Sequence, residues 1–304
     1  MRWLESPAAL AEALKELAPA LAAYPIVVRE SRDEDDPVWW SASAVVGERY
    51  VAKYAWSEPA ALRLAHEIAM LDALPIPHLP EVVASSTDPV LLVTRVVPGR
   101  ALFDIVDSVD LDDAGRQLAH FLSELHSAAT LAGVEASVGA LRPASLPPVS
   151  TDVLRERFVQ WTLPEQRPAV LAWCDWADEV LATPGPTVLV HGDLHGGNQI
   201  WDGDQLRAVV DFETAGLAEA EYDLRCFPGT GPGVELLTAT QRHYDHLTGR
   251  RLSMPRVMAW HLRTVLSDAL WRSEAGVPLP DGRTPPAWID DLTDRFAALG
   301  INPL

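Results

Sequence analysis

Apolar positions change period along the chain. Ser6-Pro7 supplies an N-cap and a first-turn proline, and the apolar residues that follow recur at helical spacing, predicting an amphipathic helix to about Ala23. Over residues 26–54 the pattern turns to short β-branched and aromatic runs. These predict strands at 26–28, 38–46 and 49–54, with Gly47-Glu48 as the turn between the last two. Helical spacing returns over 59–74 behind a Ser57 cap, and 90–97 reads as a further strand ended by Pro98-Gly99. Beyond it, helical periodicity covers 110–126, 165–181, 234–247, 255–275 and 286–299, while 187–190 and 206–210 read as short strands. The proline-rich stretch 141–149 reads as a connector between helices. A strand-rich first third before a helix-rich remainder predicts an α+β fold of two lobes, 1–97 and 98–304.

Charge narrows the partners. The 43 acidic residues against 24 basic ones leave a net charge of −19, and no basic patch offers a surface to nucleic acid or an anionic membrane. Such a surplus favours a cationic ligand. The longest apolar run, 17–28, holds Pro19 and Pro25 and is too short to span a bilayer. Glu5, Glu12, Lys15 and Glu16 leave no apolar signal core at the N-terminus. Cys174 and Cys226 have neither disulfide-framework nor metal-site spacing, so the expectation is a cytoplasmic protein with reduced thiols.

The densest chemistry lies in His191-Gly192-Asp193-Leu194-His195-Gly196-Gly197-Asn198, followed thirteen residues after the asparagine by Asp211-Phe212-Glu213. An aspartate, an asparagine five positions on and a second acid beyond a short hairpin suit phosphoryl transfer. That reaction needs a carboxylate to orient the attacking hydroxyl and hard oxygen ligands for Mg²⁺ on nucleotide phosphates. The protein-kinase spacing is H-x-D-x-x-x-x-N and then D-F-G. Asp193 is the candidate catalytic base, and Asn198 and Asp211 are the candidate Mg²⁺ ligands. Gly192-Asp193-Leu194-His195-Gly196 also fits the G-D-x-H-G segment of binuclear metallophosphatases, but the G-N-H segment that chemistry needs occurs nowhere in the chain.

With the later Tyr222-Asp223-Leu224, this pattern resembles the aminoglycoside phosphotransferase family, a small-molecule branch of the protein-kinase-like superfamily. The resemblance covers roughly residues 38–227. It implies a bilobal kinase-like fold, ATP or GTP as donor, Mg²⁺ as cofactor and a small hydroxylated molecule as acceptor. An antibiotic is one such acceptor, and a sugar or amino alcohol of metabolism is the alternative. A nucleotide-binding scaffold without catalysis is the reading from another class.

The resemblance also implies roles for single residues. Lys53, one of only two lysines and set within a strand, takes the nucleotide phosphates. Glu67 lies beside the Leu64, Ile68 and Leu71 helix face and becomes its partner, with a local pair to Arg63 as the alternative. No glycine-rich loop precedes Lys53, so Ser41 and Ser43 are the candidate phosphate contacts and Trp39 and Trp40 are core or lid residues. Backbone groups of Arg95 and Val97 would meet a purine edge between walls formed by Val51, Ile200 and Val210. Asp223 would support the catalytic loop, and Glu213 would reach the metal if its segment is extended. Acceptor recognition falls to the C-terminal helices, where Asp268, Trp271 and Glu274 are i,i+3 neighbours suited to an organic cation. Oligomeric state carries no signature in the sequence. A lysine on a strand also accepts an apolar replacement, with Glu67 expected to turn toward water when Lys53 is lost.

Overall fold

Five strands form one antiparallel sheet in the order β1-β2-β3-β5-β4: β1 (Ile26–Ser31), β2 (Ser41–Val46), β3 (Tyr50–Ala55), β4 (Val82–Thr87) and β5 (Val90–Arg95). The computed structural model describes residues 4, 6–31, 41–55, 57–144, 148–230, 234–279 and 282–303. Side chains alternate across the sheet, and the two faces have different uses. On one, Ala44, Val46, Ala52, Tyr54, Leu91 and Val93 are buried with Leu10 and Leu14 of α1 (Pro7–Leu17). On the other, register lines up Ser43, Lys53 and Leu92 in one row and Val45, Val51 and Thr94 in the next.

That second face meets α2 (Glu58–Ala73). The Ser57 hydroxyl caps its start by accepting from the Ala60 amide, worth about 1 kcal/mol. Leu64, Ile68 and Leu71 are buried on it, each contributing roughly 1.5–3 kcal/mol. Leu92 joins these residues in a large core that continues into the helical part of the chain. The apolar interior therefore crosses from the sheet to the helices, and among the described residues the α1 side of the sheet has a separate core.

The remainder holds β6 (Arg100–Ala101), α3 (Leu111–Leu125), α4 (Ala128–Val138), α5 (Thr151–Arg157), α6 (Arg167–Leu181), β7 (Thr187–Val190), β8 (Gln199–Asp202), β9 (Gln205–Val209), β10 (Gly216–Glu219), α7 (Glu221–Leu224), α8 (Glu235–Thr248), α9 (Met254–Ala275) and α10 (Pro285–Ala298). The strands make two small sheets, β6-β8-β9 and β7-β10. Residues 191–198 run between β7 and β8, and Asp211 lies between β9 and β10, so pairing within each sheet fixes both ends of the motif. No helix among the described residues is long and apolar enough to cross a membrane.

Differences from the sequence reading have local causes. The first helix stops at Leu17 rather than near Ala23, because Pro19 disfavours helical backbone at Ala18, and the chain continues as a 3₁₀ turn, Pro19–Leu21. The strand read at 90–97 ends at Arg95. Elements β4, β10, α4 and α5 had no strong periodic signal. Helix α4 is built largely of small residues, and β4 is half polar. Trp39 and Trp40 lie outside the described residues.

Candidate active site

Lys53 is the hub. Its Nζ donates to Glu67 Oε1 at 2.8 Å, to Glu67 Oε2 at 3.0 Å and to Asp211 Oδ1 at 2.9 Å. Strand, helix and motif loop are thus tied at one ammonium group. Burial alone would push the Lys53 pKa down, but the two carboxylates outweigh it and hold it above the usual lysine range. Burial pushes Glu67 up, to about 7, against the pull of Lys53. Both Glu67 oxygens accept from the ammonium, which is the geometry of an ion pair. The alternative Arg63–Glu67 pair does not form. Arg63 instead bonds the Glu213 carboxylate, so α2 is fastened to the motif loop twice.

Asp211 has φ +74°, a left-handed conformation that aspartate tolerates better than most residues. The chain then turns through a 3₁₀ segment, Phe212–Thr214, so Glu213 does not sit on an extended strand as expected. The turn carries its side chain to Arg63. Burial of Glu213, reinforced by Asp211, raises its pKa despite Arg63. Glu67, Asp211 and Glu213 offer oxygens within 4.8 Å of one another, but Lys53 and Arg63 already neutralise two of the three.

The 191–198 loop is held largely by bonds to its own backbone. His191 accepts from the Asp193 amide at Nδ1 (3.2 Å) and donates from Nε2 to the Val210 carbonyl (2.9 Å), bridging to the residue before Asp211. Those roles describe a neutral ring, and burial lowers the His191 pKa accordingly. The Asn198 side-chain amide donates to the Asp193 carbonyl at 2.9 Å, so its Oδ1 can serve as a metal ligand. The Val210 amide donates to the Asn198 carbonyl at 3.0 Å, bringing Asn198 beside Asp211. An amide oxygen and a carboxylate form a hard donor set, which fits Mg²⁺. Gly192 is required by its backbone: φ is +86°, and a Cβ would lie 2.5 Å from the Thr214 carbonyl.

Asp223 closes the loop from beneath. It is fully buried and accepts from the amides of His191 and Gly192, each at 2.9 Å, and from His126 Nε2 at 3.2 Å. Burial would raise its pKa, but the His126 bond and the loop amide hold it below the carboxylate range.

Arg225 is a supporting residue that the sequence did not announce. Its guanidinium is buried, donates to the Gly192 carbonyl at 2.6 Å and lies 3.8 Å over the Tyr222 ring. Its own carbonyl accepts from His261 Nδ1 at 2.7 Å, while His261 Nε2 accepts from Arg295 at 3.1 Å. A chain of bonds therefore runs from α10 through α9 to the 191–198 loop. Its only sequence signal is an arginine directly after the Tyr-Asp-Leu triplet.

Burial, with Arg295 and Arg225 nearby, lowers the His261 pKa to about 3. An unfolded histidine titrates near 6.5, so between about pH 6.5 and 3 the unfolded chain binds a proton that the folded chain does not. Stability supplied by neutral His261 is complete above that window and falls as pH drops through it. The expected result is that His261→Gln loses less urea resistance than wild type between pH 7 and pH 4. Parallel losses in the two proteins would remove this role.

The residues expected to meet the nucleotide lie on the sheet and on the strands beside the motif loop. Ser43, Val51 and Lys53 share the face turned to α2, and Ser41 pairs with Ala55 at the strand end. Val51, Ile200 and Val210 are half-buried, whereas Ala52, Trp201 and Val209 beside them are buried. The Arg95 side chain is on the surface with Glu81, and its amide donates to the Glu81 carbonyl. Val96 donates to Arg49 at 2.7 Å, and the Val97 amide has no partner among the described residues.

The three acceptor candidates on α9 do not make a free anionic face. Asp268 accepts from Arg272 at 3.1 and 3.0 Å, Glu274 accepts from Arg157 at 2.9 Å, and the Arg272 guanidinium lies 5.3 Å from the exposed Trp271 ring. Arginines one turn along the helix and on α5 already occupy the carboxylates meant for a cationic acceptor.

Comparison with known proteins follows the same lines. The model of the phosphotransferase enzyme family matches residues 27–254. The structure superposes on the GDP complex of aminoglycoside 2'-phosphotransferase-IIIa with a TM-score of 0.69 at 17% identity, covering 95% of this chain and 98% of that one. For spectinomycin phosphotransferase with ADP and spectinomycin the values are 0.64 and 14%, over 97% and 94% of the chains. For a macrolide 2'-phosphotransferase from Brachybacterium faecium they are 0.54 and 19%, over 93% and 97%. These likenesses establish the bilobal kinase-like α+β fold. A curated relative, the uncharacterized protein YcbJ of Bacillus subtilis (strain 168), is 27% identical over 144 residues. That match spans 46% of this chain and 45% of the relative, less than half the length of either.

Proposed function

The chain belongs to the phosphotransferase enzyme family, and from that premise we propose that it transfers the terminal phosphoryl group of ATP or GTP to a hydroxyl of a small molecule, of the type that inactivates antibiotics. The observation that carries the reading is the knot at Lys53, where one ammonium group is bonded to Glu67 and Asp211. It joins a cation suited to nucleotide phosphates to a carboxylate suited to their metal. Several solved neighbours hold GDP, ADP or ATP, and some hold streptomycin, kanamycin, gentamicin or spectinomycin, which agrees with a nucleotide donor and a small acceptor.

Each side chain then has a task. Val51, Ile200 and Val210 receive the base, and the Val97 amide supplies a donor for its edge. Lys53 holds the phosphates, with Glu67 keeping it in place. Asn198 Oδ1 and Asp211 would hold Mg²⁺, which when bound would neutralise phosphate charge. Asp193 orients the acceptor hydroxyl and accepts its proton as the new oxygen–phosphorus bond forms and the bond from the terminal phosphorus to the bridging oxygen breaks, releasing ADP or GDP. Arg225 and Asp223 keep the loop carrying Asp193 at a fixed height.

A screen of nucleotide consumption tests this, with ATP and GTP as donors and Mg²⁺ present or omitted. The panel holds aminoglycosides, spectinomycin, macrolides, nucleosides, sugars and amino alcohols. The expected result is Mg²⁺-dependent release of ADP or GDP that rises with one chemical group of acceptors. Turnover confined to sugars or amino alcohols would shift the role to metabolism. Nucleotide release that no acceptor raises above the rate of an Asp193→Asn variant would overturn the reading.

A further inference from the structure

Phe103 is a large apolar side chain that the core does not explain. It is 49% exposed, while its neighbour Leu102 is fully buried. Both lie on a 3₁₀ turn, Leu102–Asp104, directly after β6. That strand pairs with β8, setting Arg100 opposite Trp201 and Ala101 opposite Ile200, and the Arg100 guanidinium donates to the Asp104 carbonyl at 3.0 Å. The turn is therefore anchored to the strand that leaves the catalytic loop. Phe103 is exposed on a rigid base, not on a loose one.

Its ring lies parallel to that of His195, with centroids 5.7 Å apart and planes 10° from parallel. The approach needs two glycines. A Cβ on Gly196 would come within 2.8 Å of the Phe103 ring, and one on Gly197 within 2.7 Å of the His195 ring. The Gly197 amide also donates to His195 Nδ1 at 2.9 Å, which fixes the imidazole and leaves Nε2 facing Asp193 Oδ2 at 3.6 Å. Phe103, His195 and Asp193 are all partly open to solvent. Phe103 stacks on His195 and His195 faces Asp193, so an aromatic face and the carboxylate are neighbours.

Resting on the proposed function, we infer that the Phe103–His195 pair is the platform on which the acceptor lies. The acceptor class it selects is a ring-bearing alcohol, recognised through an apolar ring face with the reacting hydroxyl projecting toward Asp193. An aromatic plane attracts C–H and π faces without needing charge, and its rigidity keeps the ordering cost of binding low. Such recognition does not require the α9 carboxylates, which pair with Arg157 and Arg272.

Two measurements test it. With ADP bound, saturation-transfer NMR is recorded on wild type, Phe103→Ala and Phe103→Trp using spectinomycin and 2-phenylethanol as probes. Ring protons of at least one probe should receive saturation in wild type and Phe103→Trp and lose it in Phe103→Ala, while ADP signals in the same tube report a folded protein. With whichever panel compound is phosphorylated, Phe103→Ala should raise the acceptor KM about tenfold or more with a smaller change in kcat, and Phe103→Trp should restore it. Probe signals that are absent in wild type, or the same in wild type and Phe103→Ala, would overturn the platform. So would an acceptor KM unmoved by the alanine variant. If no panel compound is phosphorylated but the NMR contrast holds, the platform stands and the proposed transfer reaction is what fails.

Discussion

Asp193→Asn is expected to cut kcat by two to four orders of magnitude while leaving the nucleotide KM within about twofold and thermal stability nearly unchanged. The selectivity follows from how the loop is held. Asp193 takes part in loop geometry through its main chain, whose amide donates to His191 and whose carbonyl accepts from Asn198. The substitution keeps both bonds. The side chain has no described hydrogen bond to the fold, and its nearest partner, His195, is 3.6 Å away. What asparagine removes is the capacity to accept a proton and to orient a hydroxyl as an anion. Three decades in rate correspond to about 4 kcal/mol of transition-state stabilisation, within the range for a positioned base. Steady-state kinetics with the best acceptor and a melting curve decide the matter. A variant within tenfold of wild type would take the base assignment away from Asp193.

The sequence made some features legible because a physical constraint left a mark in the order of residues. The α2 face could be read from Leu64, Ile68 and Leu71, because burial on a helix repeats at three and four residues. Gly47-Glu48 could be read as a turn, and both residues have positive φ. The Lys53–Glu67 pair was legible because an acid beside an apolar face needs a cation. Arg225 was not, because its bond to Gly192 joins positions 33 residues apart and no local period encodes it. Phe103 was hidden for a similar reason, since its meaning comes from the Gly196-Gly197 gap that lets it reach His195. The arginine partners of the α9 carboxylates were a pairing that composition cannot show. Asp268 had its neutralising arginine one turn along the same helix, and Glu274 found its own on α5.

Lys53→Met is expected to abolish phosphoryl transfer and also to destabilise the protein, a second effect that an isolated strand position would not produce. Glu67 is 1% exposed, so it cannot turn to water when its partner is lost, contrary to what the sequence suggested. Removing the ammonium group leaves a buried carboxylate beside Asp211 and Glu213, whose oxygens lie within 4.8 Å of it and of each other. Deleting one member of a buried pair costs on the order of 3–5 kcal/mol, softened here as Glu67 takes up a proton. The melting temperature should fall by roughly 10 °C. The double variant Lys53→Met, Glu67→Gln separates the two roles. It removes the stranded charge and should recover most of the lost stability, yet it should stay inactive, because no cation remains for the phosphates. A single variant as stable as wild type would mean that Glu67 is satisfied by another group. A double variant with substantial turnover would mean that the phosphates are held elsewhere, and the assignment of Lys53 to the nucleotide would fall with it.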